Sequence, residues 1–261
     1  MSRKLHVTVL VDATEISRDD PDFEVQPEAP TTEYHVISAL RNLGHEVSVL
    51  GAVSDIGTIV KVLEDCKPDL VFNLTEAFDG DRRLDKNIAA LLEMVGVPFT
   101  GTGAAGLMLC RDKRLCKELL SLHKIRVPHF FSLPQGRRIR LAKTVRYPLV
   151  VKPALEDSSE GISNASLVNT STELQERALF MQERWQQPAI AEEYIEGREL
   201  YVSILGNKKL VVLPPRECSF DSNGGAGPQL ATYRVKWNQQ YREKWNIKFG
   251  FAELDQTTLR S

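Results

Sequence analysis

Apolar positions in this chain recur first at strand spacing and then at helix spacing, and the alternation repeats through its amino-terminal part. Leu5–Val11 is a short apolar run and reads as a first strand. Thr31 and Thr32 offer capping hydroxyls to a helix that carries Val36, Ile37, Leu40 and Leu43 at helical spacing and ends at Gly44. Glu46–Leu50 is a second strand, after which Asp55 caps a second helix with Ile56, Ile59, Val60 and Leu63 on one face. Past Pro68, Asp69–Leu74 reads as a third strand, Leu84–Val95 as a third helix stopped by Gly96, and Val97–Thr100 as a short fourth strand. This alternation predicts an α/β fold with a doubly wound, Rossmann-like parallel sheet over residues 1–103. In such sheets ligands lie beyond the carboxyl ends of the strands, here Asp12–Glu15, Gly51–Ser54, Asn73–Glu76 and Gly101–Gly103.

The pattern then changes. Asp112 caps a helix through Leu115, Leu119 and Leu120, and Val127–Leu133 and Tyr147–Lys152 are extended, with a basic turn at Arg137, Arg138 and Arg140 between them. Ala165–Val168 reads as a strand, and a helix runs from Thr172 to about Arg184. Three strands follow, Ala189–Ile195, Glu199–Leu205 and Lys209–Leu213, and the second of them mixes polar and apolar residues as a one-sided antiparallel strand does. This part is therefore α+β. After Pro214-Pro215 periodicity fades into a Gly-rich loop, Asn223–Gly227, and basic aromatics from Tyr233 to Trp245. The acidic, Pro-containing stretch Asp12–Pro30, 19 residues without periodicity, is longer than usual connections and is either functional or mobile.

Composition narrows the class without naming a reaction. The 261 residues suffice for about two domains with a substantial core. Apolar residues make up 42%, and the net charge of −2 gives no basic surplus that would point to nucleic acid or an anionic membrane. No apolar run approaches the roughly 18 residues of a membrane span. The start, with Leu5–Val11 broken by His6 and Thr8, has no small-residue cleavage site and reads as a strand rather than a leader. Cys66, Cys110, Cys116 and Cys218 form no C-x-x-C pair and have no histidine at ligand spacing, which suggests core packing in a reducing, cytoplasmic setting.

Three stretches carry candidate chemistry. In Tyr147–Ser163 an apolar run delivers Lys152, Pro153 stops it, and an acidic, Ser-rich turn closes on Gly161. A lysine ending a strand before small residues with free N–H groups suits a polyphosphate. At about 4 Å such a pair is worth roughly 4 kcal/mol at an effective dielectric of about 20. A strand-edge lysine before a solvated loop is the plain alternative. Gly101-Thr-Gly103-Ala-Ala-Gly106 matches G-x-G-x-x-G, but no acidic residue ends a following strand about 20 residues on, so its glycines more simply let the chain leave the sheet. In Glu192–Glu199, alternation puts Glu193 and Ile195 on one face and Glu192 and Tyr194 on the other. A backbone edge there suits a purine and Glu199 a ribose, or the segment is a hairpin with solvated acids. Lys236, in Tyr233–Trp237, is another phosphate contact or a surface cation.

The order of these pieces is more specific than any one of them. Asn73–Glu76, Pro98–Gly103, Asp112-Lys113, Val151–Pro153, Ser158–Gly161, Glu192–Ile195 with Gly197–Glu199, and Tyr233–Lys236 follow one another in a succession that resembles the ATP-grasp superfamily and, within it, the D-alanine–D-alanine ligase branch. The resemblance spans residues 5–237. It implies a pre-ATP-grasp domain over 1–103, a lid or central domain over 104–193 and the start of a carboxyl-terminal domain over 194–261. It implies that Lys113 and Lys152 touch nucleotide phosphates beneath a mobile loop containing Ser158, Ser159 and Gly161. Glu192 would accept from the adenine amino group, Glu193, Tyr194 and Ile195 would line the base, and Glu199 would bind ribose. Lys236, Ser159 and Glu33 would be catalytic, Glu33 recognising the amine of the first substrate. The implied activity is an ATP-dependent carboxylate–amine ligase working through an acyl phosphate, with ATP and Mg2+ as cofactors and small, amino-acid-like carboxylate and amine substrates. Relatives often form homodimers through the first domain.

The chain departs from the family at its end. The family's metal ligands, an acid on one late strand and E-x-N on the next, are expected beyond Ser261; Glu243, Glu253 and Asp255 do not form that pattern. The apolar surface that a further layer would cover is then expected to be exposed. Two other readings stay open: a truncated, non-catalytic relative that binds nucleotide or a partner, and a nicotinamide-dependent enzyme using Gly101–Gly106.

Overall fold

The computed structural model describes residues 3–12, 32–136, 145–220 and 230–255, which fall into two compact units, Met1–Cys110 and Arg111–Ser261. The Asp12–Pro30 stretch beyond Asp12, the Thr31 cap, the Arg137, Arg138 and Arg140 turn and Asn223–Gly227 lie outside the described residues.

In the first unit, β1 (His6–Val11) is flanked by β2 (Glu46–Gly51) and β3 (Leu70–Asn73), both parallel to it. Val7, Thr8, Val9, Leu10 and Val11 are all buried, as a central parallel strand covered on both faces requires. Leu10, Leu50 and Val71 pack on α2 (Ile56–Cys66) and α3 (Asp85–Val95) through Ile59, Leu63, Ile88 and Leu92. Val9, Val11 and Val49 instead meet Ile37 of α1 (Thr32–Asn42), so helices lie on both sides of the sheet. Each such side chain contributes about 1.5–3 kcal/mol on burial. The Asp55 carboxylate accepts from Gly57 N at 2.9 Å and Thr58 N at 3.2 Å, and Gly96 ends α3 at φ +76°. Leu43 and Ile56, expected on the apolar helix faces, are exposed.

The fourth strand shrinks to one parallel bridge, Phe99 with Val71. Pro98 accepts from Val71 N at 2.8 Å but has no N–H to extend the ladder. The Gly101–Gly106 run then leads into α4 (Ala104–Arg111). The Glu93 carboxylate caps Ala104 N at 3.1 Å, and a Cβ on Gly103 would lie 2.2 Å from its Oε1. A pyrophosphate at this helix start would meet that carboxylate, which counts against the dinucleotide reading.

The second unit is α+β. After α5 (Lys113–Leu122), β4 (Phe130–Leu133), β5 (Leu149–Pro153), β6 (Leu167–Val168) and β7 (Ala189–Glu193) form an antiparallel sheet in the order β4-β7-β5-β6. Leu174, Ala178 and Met181 of α6 (Ser171–Trp185) are fully buried against Leu149, Val151, Ala189 and Ala191. The Ala165–Val168 strand is partly a 3-10 turn, Asn164–Ser166, ahead of the two-residue β6. Glu199–Leu205 divides into β8 (Glu199–Tyr201) and β9 (Ile204–Leu205), and Lys209–Leu213 narrows to β10 (Val211–Val212), which pairs with β9.

The stretch after Pro215 is more ordered than its pattern predicts. It supplies β11 (Arg216–Ser219), α7 (Tyr233–Trp237), α8 (Gln239–Lys244) and β12 (Lys248–Phe251), giving a second antiparallel sheet, β12-β11-β8. Cys218, Ala231, Val235 and Ile247 form its small core. Ile204, Leu205, Val211, Val212 and Phe251 remain exposed. No helix among the described residues is long and apolar enough to cross a membrane.

Candidate functional site

The site begins with two strands in register. Val150 of β5 faces Glu192 of β7, and Lys152 lies two residues from Val150, so the strand period puts Lys152 and Glu192 on one face. The Glu192 side chain is only 5% exposed, and its Oε2 takes Lys152 Nζ at 2.7 Å. Lys117 Nζ stands 3.4 Å from the other oxygen, Oε1, an ionic neighbour that makes no hydrogen bond, so this buried acceptor has an open lone pair. Lys117 is one helical turn beyond Lys113, and the two project from the same side of α5.

Local bonds fix α5 against the end of β5. Asp112 caps it through Leu115 N at 2.9 Å, and Lys113 N donates to Ala154 O at 3.1 Å. The Lys113 ammonium donates to the Glu156 carbonyl. Burial pushes its pKa below the usual lysine value, Lys152 adds to that, and Asp157, Glu192 and Glu156 oppose it.

Lys113, Lys152, Glu192, Glu193, Tyr194, Ile195 and Glu199 line one cavity of about 490 Å3, together with Ser158, Ser159 and Lys236. Most of the residues singled out along the sequence therefore meet in one place. Glu193 turns its carboxylate to His129 N at 3.3 Å, and Tyr194 N donates to Pro148 O at 3.2 Å. Glu199 accepts from the Tyr201 hydroxyl at 2.6 Å; burial first, and then this bond, raises the phenol's pKa. Lys236 Nζ lies 5.7 Å from the centroid of the Tyr201 ring.

The loop from Asp157 to Ile162 walls one side. Ser158 and Ser159 hold left-handed φ of 53° and 66°, and Gly161 follows at 74°. Non-glycine residues there cost roughly 1–2 kcal/mol each, so the surroundings must hold them. Ser159 Oγ donates to Ala231 O at 2.7 Å, Trp237 Nε1 to Ser158 O at 3.2 Å, and Tyr233 N to Ile162 O at 3.2 Å. The loop is thus tied to α7 and the residues before it.

Two of the expected residues are not among those lining this cavity. Gly161 lines a neighbouring cavity rather than this one. Glu33 opens α1 in the first unit, where its charge helps raise the pKa of Asp12, whose main perturbation is burial at the carboxyl end of β1. Asp12 Oδ2 accepts from Glu76 N at 2.7 Å, so that strand end gathers three carboxylates. Sequence reasoning missed Lys117, Tyr201 and Trp237. The four-residue step from Lys113 was the available signal for Lys117; alternation along β8 was the signal for Tyr201 beside Glu199.

The lining residues could hold an adenine nucleotide: they combine ammonium groups, a buried carboxylate with an open acceptor, and a strand-end backbone edge. Among the described residues no group of three or more His, Cys, Asp or Glu side chains is placed to hold a metal ion. Glu243, on α8, instead accepts from Gln239 at 2.9 Å, and the Glu253 carbonyl accepts from Arg198 at 3.1 Å.

Comparison with known proteins adds an independent line. The family model described as "D-ala D-ala ligase C-terminus" matches residues 123–258, just over half of the chain. An uncharacterized protein, y4sG, of Sinorhizobium fredii is 36% identical over 209 residues, 77% of this chain and 59% of its own length. A D-alanine–D-alanine ligase of Gluconobacter oxydans is 31% identical over 70% of this chain and 59% of its own. The chain therefore spans less than two thirds of these relatives. Among solved structures, a D-alanine–D-alanine ligase of Bacillus anthracis complexed with ATP superposes with a TM-score of 0.64 at 17% identity, covering 96% of this chain and 72% of that one. The VanG D-Ala:D-Ser ligase of Enterococcus faecalis gives 0.59 at 19% identity, covering 99% and 79%. These two likenesses concern the fold.

Proposed function

The chain belongs to the D-alanine–D-alanine ligase family, and from that premise we propose that it is an ATP-dependent carboxylate–amine ligase, or the greater part of one, with its nucleotide held in the 490 Å3 cavity of the second unit. The supporting observation is the convergence there of Lys113, Lys152, Glu192, Glu199 and Lys236, which are far apart in sequence. We read residues 1–103 as the pre-ATP-grasp part, 104–193 as the lid and 194–261 as the start of the carboxyl-terminal part; the unit boundary after Cys110 supports the first division to within one helix.

In this reading Lys113 and Lys152 hold the phosphates and Lys236 the terminal phosphoryl, each as a mobile point charge. The open Glu192 Oε1 accepts from the base amine, the Glu193–Ile195 backbone pairs with the ring edge, and Glu199 takes the ribose hydroxyls. The nucleotide supplies a phosphoryl group to a substrate carboxylate. The bond to ADP breaks as an acyl phosphate forms, the amine then attacks the acyl carbon, and phosphate leaves as the nitrogen loses a proton. The loop that carries Ser158, Ser159 and Gly161 covers the phosphates and excludes water, which would hydrolyse that intermediate. Glu33 recognises the amine of the first substrate. Small amino acids are the substrate class, as in the relatives named ligases of D-alanine.

Calorimetric titration with ATP, followed by phosphate release in the presence of amino-acid pairs, tests the reading. Micromolar-to-millimolar ATP binding that Lys152→Met and Lys113→Met weaken supports it. Equal ATP binding by wild type and both variants refutes it, and NADH binding with none of ATP favours the Gly101–Gly106 alternative instead.

A further inference from the structure

The second unit holds another cavity, of about 570 Å3, which shares with the first the wall formed by Glu160 and Ile162. Its lining carries Arg177, Arg184 and Arg234 together with the rings of Phe180, Trp185 and Tyr233. Glu160 is the one acid among its described lining residues. In a chain of net charge −2, three arginines around one cavity need an explanation. Six other arginines, Arg3, Arg82, Arg83, Arg111, Arg114 and Arg198, do pair with carboxylates.

Arg177 directs its guanidinium to neutral acceptors, Gly161 O at 2.9 Å, Ser163 Oγ at 3.1 Å and Ser166 Oγ at 3.0 Å, and lies 4.8 Å from the centroid of the Phe180 ring. Its Nε is buried without a hydrogen bond. Arg184 and Arg234 are exposed at the rim. Guanidinium forks match planar oxyanions, aromatic faces stack on planar rings, and the volume falls within the roughly 300–1,000 Å3 of small-molecule sites.

We propose that this cavity is a second ligand site, for a small organic anion that bears a planar ring: Arg184 and Arg234 take its carboxylate or phosphate, and Trp185 and Phe180 take the ring. The site is coupled to the first cavity through Gly161. The Arg177 guanidinium holds the Gly161 carbonyl, and a Cβ on that residue would stand 3.1 Å from the Trp185 ring. Occupancy therefore acts on the loop whose Ser158 and Ser159 line the first cavity. Only this coupling rests on the nucleotide reading; the site itself does not.

The test follows the tryptophan indole N–H signals by nitrogen-15 NMR while the chain is titrated with phenyl phosphate and, separately, with benzoate. Trp185→Phe assigns the reporting signal. The expected result is a saturable shift at Trp185, weakened about tenfold by Arg184→Gln and by Arg234→Gln. Benzyl alcohol and inorganic phosphate, each carrying half of the chemistry, should bind at least about tenfold more weakly. Tighter binding of phenyl phosphate identifies a phosphate ligand, and tighter binding of benzoate a carboxylate; either supports the site. A Trp185 signal that does not move, affinities unchanged in both variants, or one-for-one displacement of the probe by ATP would overturn it. A several-fold change in ATP affinity at saturating phenyl phosphate is the expected sign of coupling, and an unchanged affinity overturns the coupling alone.

Discussion

Replacing Lys152 by methionine separates a binding role from a structural one. The wild-type Glu192 carboxylate, 5% exposed, has Lys152 at 2.7 Å and Lys117 at 3.4 Å. At an effective dielectric of about 20 these contacts are worth about 6 and about 5 kcal/mol in Coulomb energy, most of it offset by desolvation. Removing one partner of a buried pair typically costs about 3–5 kcal/mol, but Lys117 remains, so we expect about 2 kcal/mol. For a chain of this size that lowers the melting temperature by roughly 4–8 °C. If Lys152 also grips phosphate, ATP binding weakens by about ten- to a hundredfold, the equivalent of a charge-assisted bond of roughly 1.5–3 kcal/mol. The second substitution is the discriminating one. In Lys152→Met/Glu192→Gln the unpaired buried charge is gone, so the melting temperature should return toward wild type while ATP binding stays weaker than in Glu192→Gln alone. Differential scanning fluorimetry and calorimetry read the two quantities separately. An ATP affinity in the double variant equal to that of Glu192→Gln alone would show that Lys152 merely balances Glu192, and the phosphate role would fall.

Other expectations follow from single contacts. Gly161→Ala places a Cβ 2.8 Å from the Pro153 ring at a φ of +74°, and should cost about 1–3 kcal/mol in chemical denaturation; a neutral result would mean that the loop relaxes freely. Trp237→Phe removes the indole donor to the Ser158 carbonyl while keeping an aromatic ring, so amide exchange of residues 157–161 should speed up with little change in global stability. Burial pushes the Cys218 thiol up to about 11, so the folded state holds that proton above the pH at which the unfolded chain releases it. Its contribution to stability is therefore complete below the ordinary thiol range and is lost as pH rises toward 11, and Cys218→Ala should flatten the decline in stability measured over that range. At pH 8 a thiol reagent should label the exposed Cys110 well before Cys218.

How much of this was legible depends on the distance over which each signal acts. The Asp55 cap, the Gly96 stop and the continuous apolar run of β1 are local, and each occurs where the sequence puts it. The Lys152 strand was equally plain, because Pro153 marks its end. The region after Pro215 was not legible. α7 has five residues and α8 six, too short to establish a helical period, and β12 pairs with β11 across some thirty residues while all four of its residues are exposed. The Val97–Thr100 strand failed for a related reason, since apolar content does not reveal that Pro98 interrupts the ladder. The site itself was readable only as an order of motifs. Nothing in the spacing of Lys113 and Glu192 says that they share a cavity; the antiparallel pairing of β5 with β7 and the docking of α5 on Ala154 bring them together.

The same pairing explains why a carboxylate belongs among the lysines. Lys113, Lys117 and Lys152 carry like charges into a partly desolvated space, and the Lys113 pKa falls chiefly through burial and then through the charge of Lys152. Without an interior anion the three side chains would splay toward water and lose rotamer freedom only when a ligand arrived, which weakens binding. Glu192 holds Lys152 in place beforehand through Oε2 and draws Lys117 to 3.4 Å by charge alone, while the bond from Lys113 to the Glu156 carbonyl orients the third. A polyphosphate then meets ammonium groups that are already aimed, and because its charge exceeds that of one carboxylate it competes for them without displacing Glu192 from β7. On this argument Glu192→Gln should raise phosphate affinity slightly in Coulomb terms and lower it through lost positioning. A net weakening of inorganic triphosphate binding in calorimetry, larger at high ionic strength where screening removes the Coulomb gain, would show that positioning dominates, and a net tightening would refute it.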